Sequence, residues 1–165
     1  MGTFRIEQAT TDVALDKIAA LANEIWHEHF VPIIGLDQVN YMVGKFQSYP
    51  ALKDQVKEGY EYYRIFCGDA FAGYAGIRPE EDALFLSKLY LHKDYRGQHL
   101  STKALEFLKD YCHKHGLTKI RLTCNKYNSH TLDVYHHLGF SNVRSQVADI
   151  GNGYVMDDYI LELEI

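Results

Sequence analysis

A short basic segment that contains a glycine lies between an apolar run and a helical pattern. The segment is residues 96–101, Arg-Gly-Gln-His-Leu-Ser, and the apolar run before it is residues 83–91. After the segment, apolar residues recur at helical spacing up to Gly116, which suits a left-handed helix end. The first N–H groups of a helix are unpaired and lie at the positive end of its dipole, so they attract anions. We therefore predict a strand, a turn that can hold a phosphate, and a helix.

Tyr135 is a possible proton donor in the second half of the chain. It lies in a segment of helical spacing that begins after Asn128 and ends at residues 139–140, Gly-Phe. A tyrosine hydroxyl can act as a general acid. Its spacing from Leu132 and Leu138 also fits a tyrosine that only packs in the core. From these residues alone, both interpretations stay open.

Three side chains that could face a substrate are clustered near the end of the first predicted helix: Trp26, His27 and His29. The pKa of histidine near 6.5 suits a base that deprotonates an amine. The alternative is that both histidines are surface or hydrogen-bonded residues at a helix end, and we favour it because no metal-ligand pattern lies nearby.

The order of predicted elements indicates an α/β (α+β) fold. A first strand and three helices fill the first 60 residues, and three strands in series follow from Tyr60 to residue 91. A helix, a strand, a second helix and a final hairpin across residues 151–153 complete the chain. We expect a central mixed sheet, mostly antiparallel, with six to seven strands and about four flanking helices.

Length and composition limit the function further. A chain of 165 residues with 47% hydrophobic residues suits one domain, residues 1–165. The net charge of −5 and the lack of a basic run exclude an electrostatic footprint for nucleic acid. The apolar runs are too short to cross a membrane, and three cysteines without a C-x-x-C pair indicate reduced thiols in the cytoplasm.

Two motifs and the order of elements resemble the GCN5-related N-acetyltransferase (GNAT) family. The first is the segment 96–101, which is similar to the family's pyrophosphate loop R-x-x-G-x-G/A, and the second is residues 128–140, which resemble N-x-x-A-x-x-L-Y-x-x-x-G-F. The resemblance covers nearly the whole chain. It implies the GNAT fold and acetyl-CoA as co-substrate, whose acetyl group passes to an amine.

The resemblance also implies roles for individual residues. The backbone of Leu89, Tyr90 and Leu91 would pair with the pantetheine arm where a bulge separates two strands, and the Leu89 N–H would donate to the thioester carbonyl. Asn128 would bind the pantetheine or pyrophosphate, and Tyr135 would be the general acid. The pyrophosphate loop would comprise Arg96, Gly97, Gln98, His99, Leu100 and Ser101.

The chain departs from the family pattern at three positions. His99 stands where the family usually has glycine, and Ser101 where it has glycine or alanine. Ser87, followed by Lys88, stands where family members often place a glutamate that acts as base. With Trp26, His27 and His29, Ser87 completes the acceptor-side candidates, and the sequence does not identify the base.

The resemblance predicts an N-acetyltransferase that acts by direct attack of a small-molecule primary amine, without a covalent acetyl-enzyme. The paired helices before Tyr60 and the segment 154–161 near the end of the chain resemble bacterial members of the polyamine-acetylating type. One alternative is a protein or peptide amino-terminal acetyltransferase, and an alternative of another class is a non-catalytic acyl-CoA sensor. A homodimer is compatible with the sequence.

Overall fold

A computed structural model describes residues 2–165, which form a seven-stranded sheet flanked by helices. The strands are β1 (Phe4–Gln8), β2 (Glu61–Cys67), β3 (Ala70–Pro79), β4 (Leu84–Leu91), β5 (Lys119–Asn125), β6 (Ser141–Gly151) and β7 (Tyr154–Glu164). The α-helices are α1 (Asp12–His29), α2 (Val31–Ile34), α3 (Leu36–Met42), α4 (Tyr49–Lys57), α5 (Leu100–His115) and α6 (Ser129–His137). A π-helical turn, Val43–Gln47, follows α3, and a 3-10 turn, Lys93–Tyr95, precedes α5.

The boundaries of α1 and α5 follow from single residues. The Thr11 hydroxyl accepts a hydrogen bond from the Ala14 N–H at 3.1 Å, so Thr11 caps the start of α1. Gly116 ends α5 with φ of 68°, which confirms the predicted left-handed helix end. The sequence predicts about four helices and the structure has six; in the first 60 residues the additional one is the four-residue helix α2, which follows α1 directly.

The sheet has the order β1-β2-β3-β4-β5-β7-β6, and all neighbours are antiparallel except β4 and β5. The β4–β5 pairing is limited to two residue pairs, which involve Leu84 and Phe85 of β4. Beyond them, Ile77 of β3 is opposite Leu86 while Gly76 is opposite Lys88, so Ser87 is the extra residue of a bulge. The rest of β4 separates from β5, and the sheet opens between them.

Helices cover both faces of the sheet. Neighbouring strand residues point to opposite faces, and Tyr62 packs against α1 while Tyr63 packs in the cluster that contains the inner side of α5. Tyr74 and Ala75 alternate in the same way. We call the two sides the α1 face and the α5 face, and the opening between β4 and β5 connects them.

The end of the β6–β7 hairpin is attached to α3 on the α1 face. The Tyr41 hydroxyl donates a hydrogen bond to the Ile150 carbonyl at 2.6 Å, and the Gln38 amide donates to the Val155 carbonyl at 3.0 Å. The rings of Tyr41 and Tyr154 lie 5.3 Å apart. These contacts close one side of the space in front of the sheet. No helix within residues 2–165 is long and apolar enough to span a membrane.

Candidate functional site

A cavity of about 1290 Å³ fills the opening between β4 and β5 and extends to both faces of the sheet. Thirteen residues that the sequence analysis singled out line it: Trp26, His29, Ser87, Leu89, Tyr90, Leu91, Arg96, Gly97, His99, Leu100, Ser101, Asn128 and Tyr135. The structure therefore brings residues from α1, β4, α5 and α6 together at one place.

Two of the predicted site residues do not line the cavity. The Gln98 side chain donates a hydrogen bond to the Asp94 carbonyl at 3.2 Å. The His27 ring lies 2.6 Å from the Asn40 side-chain oxygen and 2.7 Å from the Asn23 carbonyl, and these two contacts raise its pKa. His27 thus has local partners outside the cavity.

The loop that precedes α5 has two residues in the left-handed region of backbone conformation. Gly97 has φ of 77° and His99 has φ of 64°. Only glycine adopts this region without steric cost, and another residue loses about 1 kcal/mol. The strained conformation of His99 explains why a glycine is the usual residue in the resembling motif. The loop places the unpaired N–H groups at the start of α5 beside the cavity.

Arg96 connects this loop to two other elements. Its Nε donates a hydrogen bond to the Leu91 carbonyl at 3.0 Å, at the end of β4. Its Nη1 lies 2.7 Å from a carboxylate oxygen of Glu28, near the end of α1. The guanidinium group is thereby held at the mouth of the cavity between α1 and β4.

Asn128 uses its side chain to bind a histidine and not to cap α6. It lies just before α6 and is buried, yet its side chain makes no capping hydrogen bond. The Nε2 of His29 lies 3.2 Å from the Asn128 Oδ1. Burial lowers the pKa of His29, and the contact with Asn128 opposes that shift. The helix starts directly after Asn128, as predicted, but the Asn128 side chain does not cap it.

Tyr135 and Cys124 lie on the α5 face of the cavity, and both remain protonated. The Tyr135 ring packs edge-on against Phe140 at 5.4 Å, and burial raises the pKa of its hydroxyl. Burial first, and then the Asp158 carboxylate, raise the pKa of the Cys124 thiol to about 12. A phenol in this state can donate a proton, whereas a thiol in this state is a poor nucleophile.

Lys88 is a cavity residue that the sequence analysis gave no role. It is buried in the middle of β4, and its Nζ donates hydrogen bonds to the Tyr62 hydroxyl at 2.7 Å and to Gln55 Oε1 at 2.8 Å. Within residues 2–165 no carboxylate forms an ion pair with it, and burial lowers its pKa to about 7. The sequence feature that could have indicated Lys88 is a charged residue inside a largely apolar strand.

Asp158 is a second buried charged residue of the cavity, beside Lys88, that the sequence analysis missed. It is 2% exposed, and burial, followed by repulsion from Asp157, raises its pKa to about 6. The adjacent Asp157 pairs with Lys126 at 2.8 Å, so one acid of the pair has a cation and the other does not. Adjacent residues of a strand point to opposite faces, so one of two successive acids points toward the core. The pair of aspartates at 157 and 158 is the sequence feature that could have indicated this residue.

Comparison with known sequences identifies one family. Residues 19–140 match the sequence profile of the Acetyltransferase (GNAT) family. No curated protein sequence matches the chain significantly.

Solved structures of the same fold cover almost the entire chain. The PaiA N-acetyltransferase of Thermoplasma acidophilum, in complex with coenzyme A, is 18% identical, with a TM-score of 0.80 over 99% of each chain. A GCN5-related N-acetyltransferase from Rhodopseudomonas palustris is 13% identical, with a TM-score of 0.82 over 100% of this chain and 98% of that one. The ribosomal-protein-S18-alanine N-acetyltransferase of Escherichia coli is 20% identical, with a TM-score of 0.70 over 99% and 94%. At these identities the likeness establishes the fold.

Proposed function

Since the chain belongs to the GNAT family of acetyltransferases, we propose that it transfers the acetyl group of acetyl-CoA to a primary amine of a small molecule. The observation that carries the proposal is the cavity between β4 and β5, which joins the loop before α5 on one side to a space lined by α1, α3 and β7 on the other. Residues 1–165 would act as one N-acetyltransferase domain.

The residues of the α5 face fit a coenzyme that ends in a pyrophosphate. The N–H groups of residues 97–101 surround the start of α5, and Arg96 adds a positive charge. The edge of β4 at Leu89, Tyr90 and Leu91 has no strand partner toward β5, so its backbone groups are free to pair with an amide-containing arm. Asn128 would bind the same arm by its side-chain amide.

Two groups of the chain would act on the reaction itself. Acetyl-CoA supplies the acetyl group as a thioester, which an amine attacks at the carbonyl carbon with release of the thiolate. The Leu89 N–H would stabilise the carbonyl oxygen, and one such donor contributes about 3 kcal/mol. Tyr135 would give its proton to the leaving thiolate. An ammonium acceptor loses two protons: one neutralises the thiolate through Tyr135, and the other passes to solvent.

The contacts between α3 and the β6–β7 hairpin favour a small acceptor over a peptide. An amino-terminal acetyltransferase needs an open groove for the residues that follow the terminal amine. Here the contacts of Tyr41 and Gln38 with the β6–β7 hairpin block one side of the pocket. The acceptor would therefore be a compact amine, and polyamines and amino-acid-like amines are included in this class.

A thiol-release assay tests the function. The purified protein would be incubated with acetyl-CoA and with a panel of alkylamines, polyamines, amino acids, aminoglycosides and short peptides. We expect release of coenzyme A thiol with at least one small amine and a product mass increased by one acetyl group. Turnover with peptides alone would favour the amino-terminal acetyltransferase. Binding of acetyl-CoA by calorimetry without turnover on any amine would favour the sensor.

A further inference from the structure

Asp158 is a buried carboxylate that faces the cavity without a partner. It is 2% exposed and lines the cavity, and no group within residues 2–165 donates a hydrogen bond to it or forms an ion pair with it. Lys126, whose charge lowers the pKa of Asp158, is held by Asp157 at 2.8 Å. A buried charge without a partner is costly. Such a carboxylate is placed to receive a positive group of a ligand.

The strand register puts Asp158 on the α1 face of the opened sheet. Tyr159 and Leu161 pack in the cluster on the α5 face, so Met156 and Asp158 point the other way. Met156 packs in the cluster that contains Trp26 and Phe30. Asp158 therefore lies on the side of the cavity opposite Tyr135, and the opening between β4 and β5 separates the two.

The α1 face of the cavity, to which Asp158 points, carries a cluster of apolar and aromatic side chains. The rings of Trp26 and Phe30 are stacked at 4.1 Å, and Tyr90 meets them edge-on at 5.6 and 6.0 Å. The apolar cavity residues on this side are Trp26, Phe30, Ile34, Met42, Phe46 and Met156. An apolar or aromatic group of a ligand would be buried here, on the same face of the sheet as the carboxylate.

We propose that Asp158 binds the ammonium group of the acceptor, and that the acceptor is a primary monoamine with an apolar or aromatic body. The inference rests on the proposed acetyl transfer and narrows its substrate class. The ammonium forms an ion pair with Asp158 on the α1 face, and its nitrogen lies toward the opening, beyond which Tyr135 lies. The body of the amine packs against Trp26, Phe30 and Met156.

The other charged groups of the cavity argue against a polyamine. Lys88 carries no negative charge to receive a second ammonium and is already bound to Gln55 and Tyr62. His29 is bound to Asn128. Glu58 lies at an exposed position beyond Tyr60, while Glu106 and Asp133 belong to α5 and α6. A second ammonium beside the first would therefore meet aromatic side chains and no buried acid.

Binding to the wild-type protein tests the class of ligand without any need for turnover. With coenzyme A present, calorimetry would measure 2-phenylethylamine, its uncharged analogue 2-phenylethanol and 1,4-diaminobutane at pH 7.5. We expect the aromatic amine to bind about tenfold or more tightly than either of the other two. Equal binding of the alcohol would overturn the ammonium site, and tighter binding of the diamine would overturn the monoamine class.

Asp158→Asn tests the residue, and Asp157→Asn on the opposite face is its matched control. We expect the first variant to lose about tenfold or more in affinity for 2-phenylethylamine and the control to retain it. Unchanged affinity in a folded Asp158→Asn protein would overturn the proposal. If the amine binds through Asp158 but no acetyl transfer occurs, the ammonium site stands and the proposed function fails. If Asp158→Asn does not change acetyl transfer to amines, the proposed function stands and the ammonium site fails.

Discussion

The two halves of the cavity are built from different kinds of group. The coenzyme half consists of residues 89–91, residues 96–101, Asn128 and Tyr135, and the acceptor half consists of Trp26, Phe30, Met42, Lys88, Met156 and Asp158. The first half offers mainly backbone groups from two short stretches of chain, whereas the second offers side chains from α1, α3, β4 and β7. A backbone site depends on local conformation, so a short motif can specify it. A side-chain site depends on how distant elements pack.

The halves also differ in their charges. Tyr135 is protonated and neutral in the coenzyme half, while the acceptor half contains a buried lysine and a buried carboxyl group. Burial shifts both of their pKa values toward neutrality, that of Lys88 down to about 7 and that of Asp158 up to about 6. Perturbed titratable groups of this kind reduce stability and are concentrated at functional sites. Substitution of these two residues should therefore preserve or raise the stability of the protein but impair its function.

The largest effect is expected at Tyr135 in the coenzyme half. Tyr135→Phe removes the proposed proton donor and keeps the ring, so kcat should fall about 100- to 10,000-fold while acetyl-CoA binding stays near normal. Steady-state kinetics over a range of pH, together with calorimetry of coenzyme binding, measure the two quantities.

Tyr159→Phe is the matched control for that variant. Tyr159 lies on β7 with its ring packed on the α5 face outside the cavity lining, so removal of its hydroxyl should leave kcat within a few-fold. If turnover of Tyr135→Phe is unchanged at every pH, Tyr135 is not the general acid.

Lys88→Met should stabilise the protein, and most strongly below neutral pH. The pKa of Lys88 is about 7 in the folded protein and 10.5 when unfolded, so the unfolded state binds the extra proton between these values. The destabilising contribution of Lys88 is therefore largest below pH 7 and disappears as the pH rises toward 10.5. The gain in unfolding free energy from the substitution should be about 3 kcal/mol larger at pH 6.5 than at pH 9.5.

Urea unfolding at the two pH values measures this difference. Lys57→Met, at an exposed lysine of α4, is the control and should change stability little at either pH. A gain from Lys88→Met that is the same at pH 6.5 and 9.5 would mean that Lys88 stays charged in the folded protein.

Asp158→Asn should show the opposite pH signature. The pKa of Asp158 is about 6 in the folded protein and 3.8 when unfolded, so the folded state binds its proton more tightly. The resulting contribution to stability is fully present below pH 3.8 and is lost as the pH rises through 6. The substitution should therefore stabilise the protein more at pH 7.5 than at pH 4.5, by about 2 kcal/mol. Asp157→Asn should not, because Asp157 pairs with Lys126. An equal effect at both pH values would show that Asp158 has an ordinary environment.

The same contrast explains what could be predicted from the sequence. The turn before α5, the end of α5 at Gly116 and the final hairpin depend on residues close in the chain, and each was predicted. Asp158 could not be chosen over Asp157, because the inward acid is decided by the register of β7 on β5, where Asp158 is opposite Asn125. The partners of Lys88 could not be predicted from the sequence either, because Gln55 lies 33 positions away along the chain.

The smallest effect is expected at His99, where the coenzyme half departs from the usual motif. His99→Gly places glycine at φ of 64°, so it should raise the unfolding free energy by about 1 kcal/mol. Gly97→Ala, at φ of 77°, should lower it by a similar amount. Urea unfolding and calorimetry with acetyl-CoA measure stability and affinity together. Affinity that is unchanged or improved in His99→Gly means that the loop acts through its backbone, as expected for this half. A large loss of affinity would mean that the imidazole contacts a phosphate, and a side chain would then determine binding in both halves.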